Sequence, residues 1–194
     1  LVLKKTNDGW CCLAIACYQG HLDILKLLVQ SSAELILSRT GRGLNCLHTA
    51  CQRGHSDIVE YLLQTCSEKL LFETTEDAGT CLHLACQQGH FRIVKNLIKA
   101  GGEALFFKNA AGGLSCLHLA CSNGHLEVVK CLINMTGKAL LLNLTVEGCS
   151  CLHCACEMGH LAIAQYLANL LTPEFVGLKN QSGRTALDLA RGAG

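Results

Sequence analysis

The side chains with the greatest chemical potential in this sequence are its 15 cysteines and nine histidines. Most of them belong to one recurring phrase: cysteine, leucine, histidine, a variable residue, alanine and a second cysteine. The phrase occupies residues 46–51, 81–86, 116–121 and 151–156, and an altered form occupies 12–17 and 186–191. Cysteine and histidine bind structural zinc and form nucleophile–base pairs, so metal binding and thiol catalysis are the chemistries to weigh.

The spacing within the phrase argues against both chemistries. Two residues five positions apart on a helix are rotated by about 140°, so the two thiols of one phrase point in different directions. Equivalent cysteines on stacked helices would lie about 10 Å apart, whereas a disulfide needs Cα atoms within about 7 Å. The densest stretch, residues 149–156, follows the same spacing. We therefore predict no metal site, no cofactor and no catalytic residue, and stoichiometric zinc in a metal assay would contradict this.

The phrase recurs because the whole chain repeats. Its first leucine stands at positions 13, 47, 82, 117, 152 and 187, a period of 34 and then 35 residues. Such a period is typical of a solenoid, in which each unit buries its apolar face against the next. We expect a single array over residues 1–194. Its predicted parts are the tail of a truncated repeat at 1–8, repeats at 9–42, 43–77, 78–112, 113–147 and 148–182, and a partial C-terminal repeat at 183–194.

Each unit is predicted to hold two helices joined by a tight turn. Good helix N-caps precede five of the six phrases, and Cys11 is the poor one. The five caps are Asn45, Thr80, Ser115, Ser150 and Thr185. A glycine ends the first helix at positions 20, 54, 89, 124 and 159, and a histidine follows each of these glycines. Apolar residues at i, i+1, i+4 and i+5, as in 58–63, then predict a second amphipathic helix.

This unit resembles the ankyrin repeat. Residues 79–85, 89–90 and 93–94 carry most of that family's phrase, which reads Gly-x-Thr-Pro-Leu-His-x-Ala, then Gly-His, then Ile-Val-x-x-Leu-Leu. The resemblance implies an all-α ankyrin-repeat solenoid of stacked helix-turn-helix units with hairpin-like loops. It also implies that the histidines are structural and bond to the backbone of neighbouring loops.

The sequence departs from the family pattern in two ways. Cysteine replaces the usual proline at the first helical position in five units, and Ala186 replaces it in the last. The period is also longer than the family's period of about 33 residues. The extra length falls in similar apolar segments at 33–37, 68–72, 103–107 and 138–142. We predict that each segment forms an extra helical turn packed into the stack; exposed, extended loops there would contradict this.

The resemblance places the binding surface on the concave side, along the hairpin fingers and the first helices. The implied partner-binding residues follow the first glycine of a unit or precede its Gly-His pair. They are Trp10, Tyr18, Leu44, Arg53, Gln87, Gln88, Leu114, Asn123, Met158 and Arg184. The repeat does not require large apolar residues at Trp10, Leu44 and Leu114, so these three are expected to form an exposed apolar stripe.

Composition narrows the function further. A net charge of +1, from 16 basic and 15 acidic residues, provides no basic stripe for nucleic acid. No apolar run approaches the roughly 18 residues of a membrane span, which argues against membrane insertion. One proline and a regular helical pattern favour reduced core thiols and a cytoplasmic or nuclear location.

We therefore predict a non-enzymatic interaction module or scaffold that binds a protein partner, as a monomeric fragment of a larger chain. Two alternatives remain open at this point. The chain could be the regulatory ankyrin array of a larger enzyme or channel, or a thiol-based metal or redox protein.

Overall fold

The structure, a computed structural model, describes residues 4–65 and 69–192. Helices come in pairs along the chain. The first helices of the pairs are α1 (Cys12–Gln19), α3 (Cys46–Arg53), α6 (Cys81–Gln88), α8 (Cys116–Ser122), α10 (Cys151–Glu157) and α13 (Ala186–Gly192). The second helices are α2 (Leu22–Ser31), α4 (Ser56–Thr65), α7 (Phe91–Phe106), α9 (Leu126–Thr136) and α11 (Leu161–Ala168). First helices contact first helices and second helices contact second helices, so two layers stack in chain order. The predicted all-α solenoid is confirmed.

One continuous apolar core runs between the two layers. The leucine of every complete phrase is buried, and so are the apolar stripes of α4, α7 and α9. Helix α2 differs, because Ile24 is 49% exposed whereas its equivalents Ile58 and Ile93 are fully buried. Each second helix is covered by the preceding one, and no helix precedes α1 in the described residues.

The extra length of each unit forms the predicted helical turn. The turns are 3₁₀ at Ala33–Leu37 and Ala139–Leu142, and α-helical in α5 (Lys69–Phe72). In the third unit the turn is the end of α7, set off from the rest of that helix by non-helical backbone at Gly102. The leucines that point inward from the four turns are at most 2% exposed: Leu35, Leu70, Leu105 and Leu140. In the fifth unit α12 (Pro173–Val176) follows α11 at the corresponding place.

Cysteine at the usual proline position is explained by this extra turn. The Cys81 thiol donates to the carbonyl of Leu71 (3.5 Å), and the Cys116 thiol donates to that of Phe106 (3.7 Å). Proline could not make this bond, whereas the thiol satisfies a carbonyl at the end of the inserted turn. The two departures from the family pattern are therefore coupled.

Thiols of neighbouring units also meet in the core. The second cysteine of one first helix hydrogen-bonds to the first cysteine of the next, as in Cys51 with Cys81 and Cys86 with Cys116. The expected separation of about 10 Å applies to equivalent positions on stacked helices, and these pairs join different positions of the phrase. Burial, followed by these hydrogen bonds, raises the pKa of Cys51 and Cys86 well above the usual thiol range. Both therefore stay protonated.

Between units the chain forms hairpin-like fingers that pair edge to edge. Within one finger the amide of Thr40 donates to the carbonyl of Leu44 (3.0 Å). Across fingers, the amide of Gly41 donates to the carbonyl of Asp8 (2.8 Å), and the amide of Val146 donates to the carbonyl of Gly112 (2.9 Å). Because backbone groups hold the row together, the finger side chains are left to face the concave surface.

Candidate functional site

Buried histidines tie each first helix to the finger that follows it. Nδ1 of His48 accepts a hydrogen bond from the amide of Asn45 (3.3 Å), and Nε2 lies 3.1 Å from the carbonyl oxygen of Glu73. Since Nδ1 accepts, the ring proton is on Nε2, which donates to the carbonyl. The Asn45 side chain accepts from the His48 amide in return, which completes a capping box. The ring is therefore neutral and structural.

The same arrangement recurs in the other units, with three variations. In the first unit Ala14 occupies the position of the histidine, and the Cys11 cap makes no side-chain hydrogen bond. His118 and His153 accept from Ser115 and Ser150 and reach the next finger, as His48 does. His83 accepts from Thr80 (3.2 Å), but its Nε2 has no hydrogen-bond partner within residues 4–65 and 69–192. In the last unit Asp188 takes the acceptor role, binding the Thr185 amide through Oδ2 at 2.9 Å.

The histidines that follow the glycines at 54, 89, 124 and 159 reach back to the preceding unit. Nε2 of His55 lies 3.0 Å from the carbonyl of Tyr18, and Nε2 of His90 lies 3.2 Å from that of Gln52. His125 and His160 repeat the contact with Gln87 and Ser122. These carbonyls belong to residues at the ends of the first helices, so the histidines fix the backbone beneath the concave surface.

Two cavities open on the concave surface. The cavity between the first two fingers has a volume of about 590 Å³, and its lining includes Trp10, Tyr18, Leu44 and Gln52. The cavity between the fourth and fifth fingers has a volume of about 250 Å³ and is lined by apolar, polar and acidic residues. These include Leu114, Ser122, Val146, Cys149, Cys154 and Glu157. Both cavities lie where fingers meet first helices.

The repeated unit, its buried histidines and its fingers match one known family. The family model for ankyrin repeats in three copies matches residues 1–75, 32–109, 65–142 and 82–174. The chain belongs to the ankyrin-repeat family. Ankyrin repeats are generally protein-interaction modules and are typically non-catalytic. No curated protein matches the chain. Within the described part of the chain, no helix has the length and apolar character needed to cross a membrane.

In this ankyrin array the ten predicted binding residues lie at different depths. Trp10, Tyr18, Gln87 and Leu114 are half-buried, and Leu44 is only 8% exposed. The remaining five are exposed: Arg53, Gln88, Asn123, Met158 and Arg184. Since Leu44 is nearly covered and Leu114 lines the other cavity, Trp10, Leu44 and Leu114 form two separate apolar patches instead of one exposed stripe.

Sequence reasoning missed several residues that line the cavities of the ankyrin array. Gln52, Ser122 and Glu157 line them, whereas the neighbouring residues Arg53, Asn123 and Met158, which were predicted, are exposed and are not among the lining residues. In each of these three pairs before Gly-His, the lining residue is the first member. For Gln52 and Ser122 the available signal was the histidine of the next unit, which binds the carbonyl of that residue.

The described cysteines of the array form no disulfide, and most of them are buried. Across residues 4–65 and 69–192, no three His, Cys, Asp or Glu side chains are grouped so that they could hold a metal ion. Cys151 has the most nucleophilic surroundings, since a hydrogen bond from the Cys121 thiol, opposed by burial and aided by His118, lowers the pKa of Cys151 to about 5. Its side chain is only 1% exposed, so a substrate has no access to the sulfur.

Burial predicts which thiols react. Among the described cysteines, a brief treatment with iodoacetamide under native conditions is expected to modify Cys12 and Cys149 first, because both are half-buried. Cys156 is also half-buried, but burial raises its pKa, so it should react more slowly. Cys51 and Cys86 should stay unmodified until the protein is denatured. Peptide mass spectrometry measures each site, and rapid native labelling of Cys86 would contradict the packing of the core.

Proposed function

We propose that this ankyrin array is a scaffold that holds a partner protein on its concave surface, across the fingers and first helices. The observation that carries the proposal is a contrast between positions. Positions that build the fold hold the same residue types from unit to unit. Positions that line the groove hold different residue types in different units. The position after the first glycine is the clearest case: it holds Trp10, Leu44, Gly79, Leu114, Cys149 and Arg184. Side chains that the fold does not require are available for recognition.

The positions of the two cavities suggest the shape of the partner. They lie three units apart, which is about 30 Å if neighbouring helices are spaced by about 10 Å. An extended segment advances about 3.3 Å per residue, so roughly nine residues would reach from one cavity to the other. We infer a partner with an extended segment or long loop that lies along the groove.

The proposal includes no catalytic step, because the histidines that sequence analysis weighed as bases are hydrogen-bonded within the fold. The described cysteines form no disulfide, which favours a reducing compartment, the cytoplasm or the nucleus. We infer that the array works as a monomer.

Changing one apolar residue at each cavity tests the proposal. The variant Trp10→Ala plus Leu114→Ala is expected to weaken partner capture from cell extract at least tenfold, as truncation of interface anchors does. Quantitative mass spectrometry of the captured proteins measures the loss. A matched control is Leu27→Ala plus Leu161→Ala, which removes two side chains, 63% and 68% exposed, from the second helices. If both variants capture the same partners as the unmodified protein, the concave surface is not the binding surface.

A further inference from the structure

A specialised cluster of side chains lies at the first cavity: Trp10 and Tyr18 line the cavity, and Arg53 packs on Tyr18 beside it. The rings of Trp10 and Tyr18 meet edge to face, with their centroids 5.5 Å apart. The Arg53 guanidinium lies over the Tyr18 ring, 4.3 Å from its centroid. The corresponding positions of the next unit hold Leu44, Gln52 and Gln88, so the repeat does not require an aromatic pair or an arginine there. We call Trp10, Tyr18 and Arg53 the aromatic–arginine cluster.

The apolar part of this cavity suits a large apolar side chain. Trp10 and Leu44 both line it, and its volume of about 590 Å³ falls within the range of ligand-binding cavities. Tryptophan and tyrosine are rigid, so an apolar group that packs against them loses little conformational entropy from the receptor side. An aliphatic or aromatic residue of the partner can therefore enter here.

The charged part of the cavity favours a carboxylate next to that apolar residue. The Arg53 guanidinium lies over the Tyr18 ring, and its forked N–H groups have the geometry to bind both oxygens of a carboxylate. Among the described residues, neither Arg53 nor the nearby Arg42 has a carboxylate partner within ion-pair distance. Arg42 and Asp8 line the cavity, and Arg53 lies beside it over the Tyr18 ring. Two guanidinium groups therefore stand near one carboxylate, and the local charge is positive.

We propose, as an extension of the proposed function, that the first cavity recognises an extended partner segment in which Asp or Glu adjoins a large apolar residue. The apolar side chain packs on Trp10 and Leu44, and the carboxylate pairs with Arg53. The stacking of Arg53 on Tyr18 orients the guanidinium before the partner arrives, which lowers the entropy cost of forming the pair.

Selection from a random 12-residue peptide display library tests the proposal. Peptides selected on the intact array are synthesised in two forms, with each acidic residue kept or changed to its amide. Their affinities are measured by fluorescence anisotropy of the labelled peptide. The fluorescence of Trp10, the single tryptophan of the chain, reports whether a tryptophan-free peptide occupies the cavity. The variants are Arg53→Gln, Arg53→Lys, Trp10→Ala and Leu114→Ala. The control Arg92→Gln removes the same charge from an exposed second-helix residue paired with Glu60 at 2.9 Å.

We expect selected peptides to carry Asp or Glu within two residues of a large apolar residue. Arg53→Gln and the acid-to-amide change should each weaken binding about tenfold, and together they should cost little more than either alone. Arg53→Lys should recover only part of the affinity, and Arg92→Gln should have no effect. Enrichment of basic peptides, or an acid-to-amide change without effect, overturns this inference. Peptides that depend on Leu114 and not on Trp10 would overturn it while supporting the proposed function. If no peptide depends on either residue, both are overturned.

Discussion

Replacing Gly54 by alanine is expected to destabilise the array by about 3 kcal/mol, which is large for a single methyl group. Gly54 has a φ of +83°, a conformation that costs other residues roughly 1–2 kcal/mol. A Cβ atom at this position would lie 2.5 Å from Cε1 of His90. The ring would have to move, which would break its hydrogen bond to the carbonyl of Gln52, worth about 1 kcal/mol. Chemical denaturation followed by circular dichroism measures the loss.

Gly159 provides a matched control for the steric part of this effect. It holds the equivalent position with a φ of +72°, but no atom of the described residues lies within 4 Å of the point that a Cβ would occupy there. Gly159→Ala should therefore lower the free energy of unfolding only by the cost of a positive φ for alanine, about 1–2 kcal/mol. In a His90→Ala background, Gly54→Ala should cost correspondingly less than it does with the ring present. Equal losses in both backgrounds would show that contact with His90 does not explain why glycine is needed at this position.

The local elements of this fold could be predicted because each depends on neighbouring residues in the chain. Asn45 caps a helix through its own side chain, and Gly54 ends the same helix through its left-handed backbone. The inserted turns were also predictable, since their leucines repeat at the spacing of the unit. The unit boundaries at 9–42 and onward remain a prediction, because a repeat has no unique starting residue.

Contacts between units could not be predicted in the same way. A repeat shows which residues recur, but the register between stacked helices decides which position meets which. The pairing of Cys51 with Cys81 and the bond from the Cys81 thiol to the Leu71 carbonyl both depend on that register. The lining of the cavities is hard to predict for a related reason: whether Gln52 or Arg53 faces the cavity depends on the rotation of the helix by a single residue. The binding residues themselves remain a prediction.

Acid is expected to destabilise the array through its buried histidines. Burial lowers the pKa of His48 to about 4, although the carbonyl and carboxylate of Glu73 act in the opposite direction. Burial likewise lowers the pKa of His83 to about 4. Because both rings accept a hydrogen bond at Nδ1, a proton there would place two donors against each other. The neutral ring is therefore the form that the fold requires.

The direction of the effect follows from the two pKa values. An unfolded chain binds the proton near pH 6.5 and the folded one near pH 4, so acid favours unfolding. The full contribution of each neutral histidine ring to the stability of the array is present above pH 6.5. It is lost as the pH falls toward and through 4. One pKa unit corresponds to about 1.4 kcal/mol, so each ring accounts for roughly 3 kcal/mol. His118 does not add to the loss: burial lowers its pKa, but contact with the Cys151 sulfur and nearby carbonyls raises it overall.

The variant His83→Gln separates this titration from the structural role of the residue. Glutamine at this position can still accept from the Thr80 amide, as in an ordinary capping box, but it does not titrate. Urea denaturation from pH 7 to pH 4 should show that the variant loses about 3 kcal/mol less stability than the unmodified array. His21→Gln is the control, because His21 is exposed and its side chain makes no capping bond, and its pH profile should not change. If His83→Gln loses as much stability in acid as the unmodified array, the acid sensitivity arises elsewhere. A selective reduction in that loss would instead show that the phrase's histidine is required as a neutral hydrogen-bond acceptor, which makes the repeated unit itself sensitive to acid.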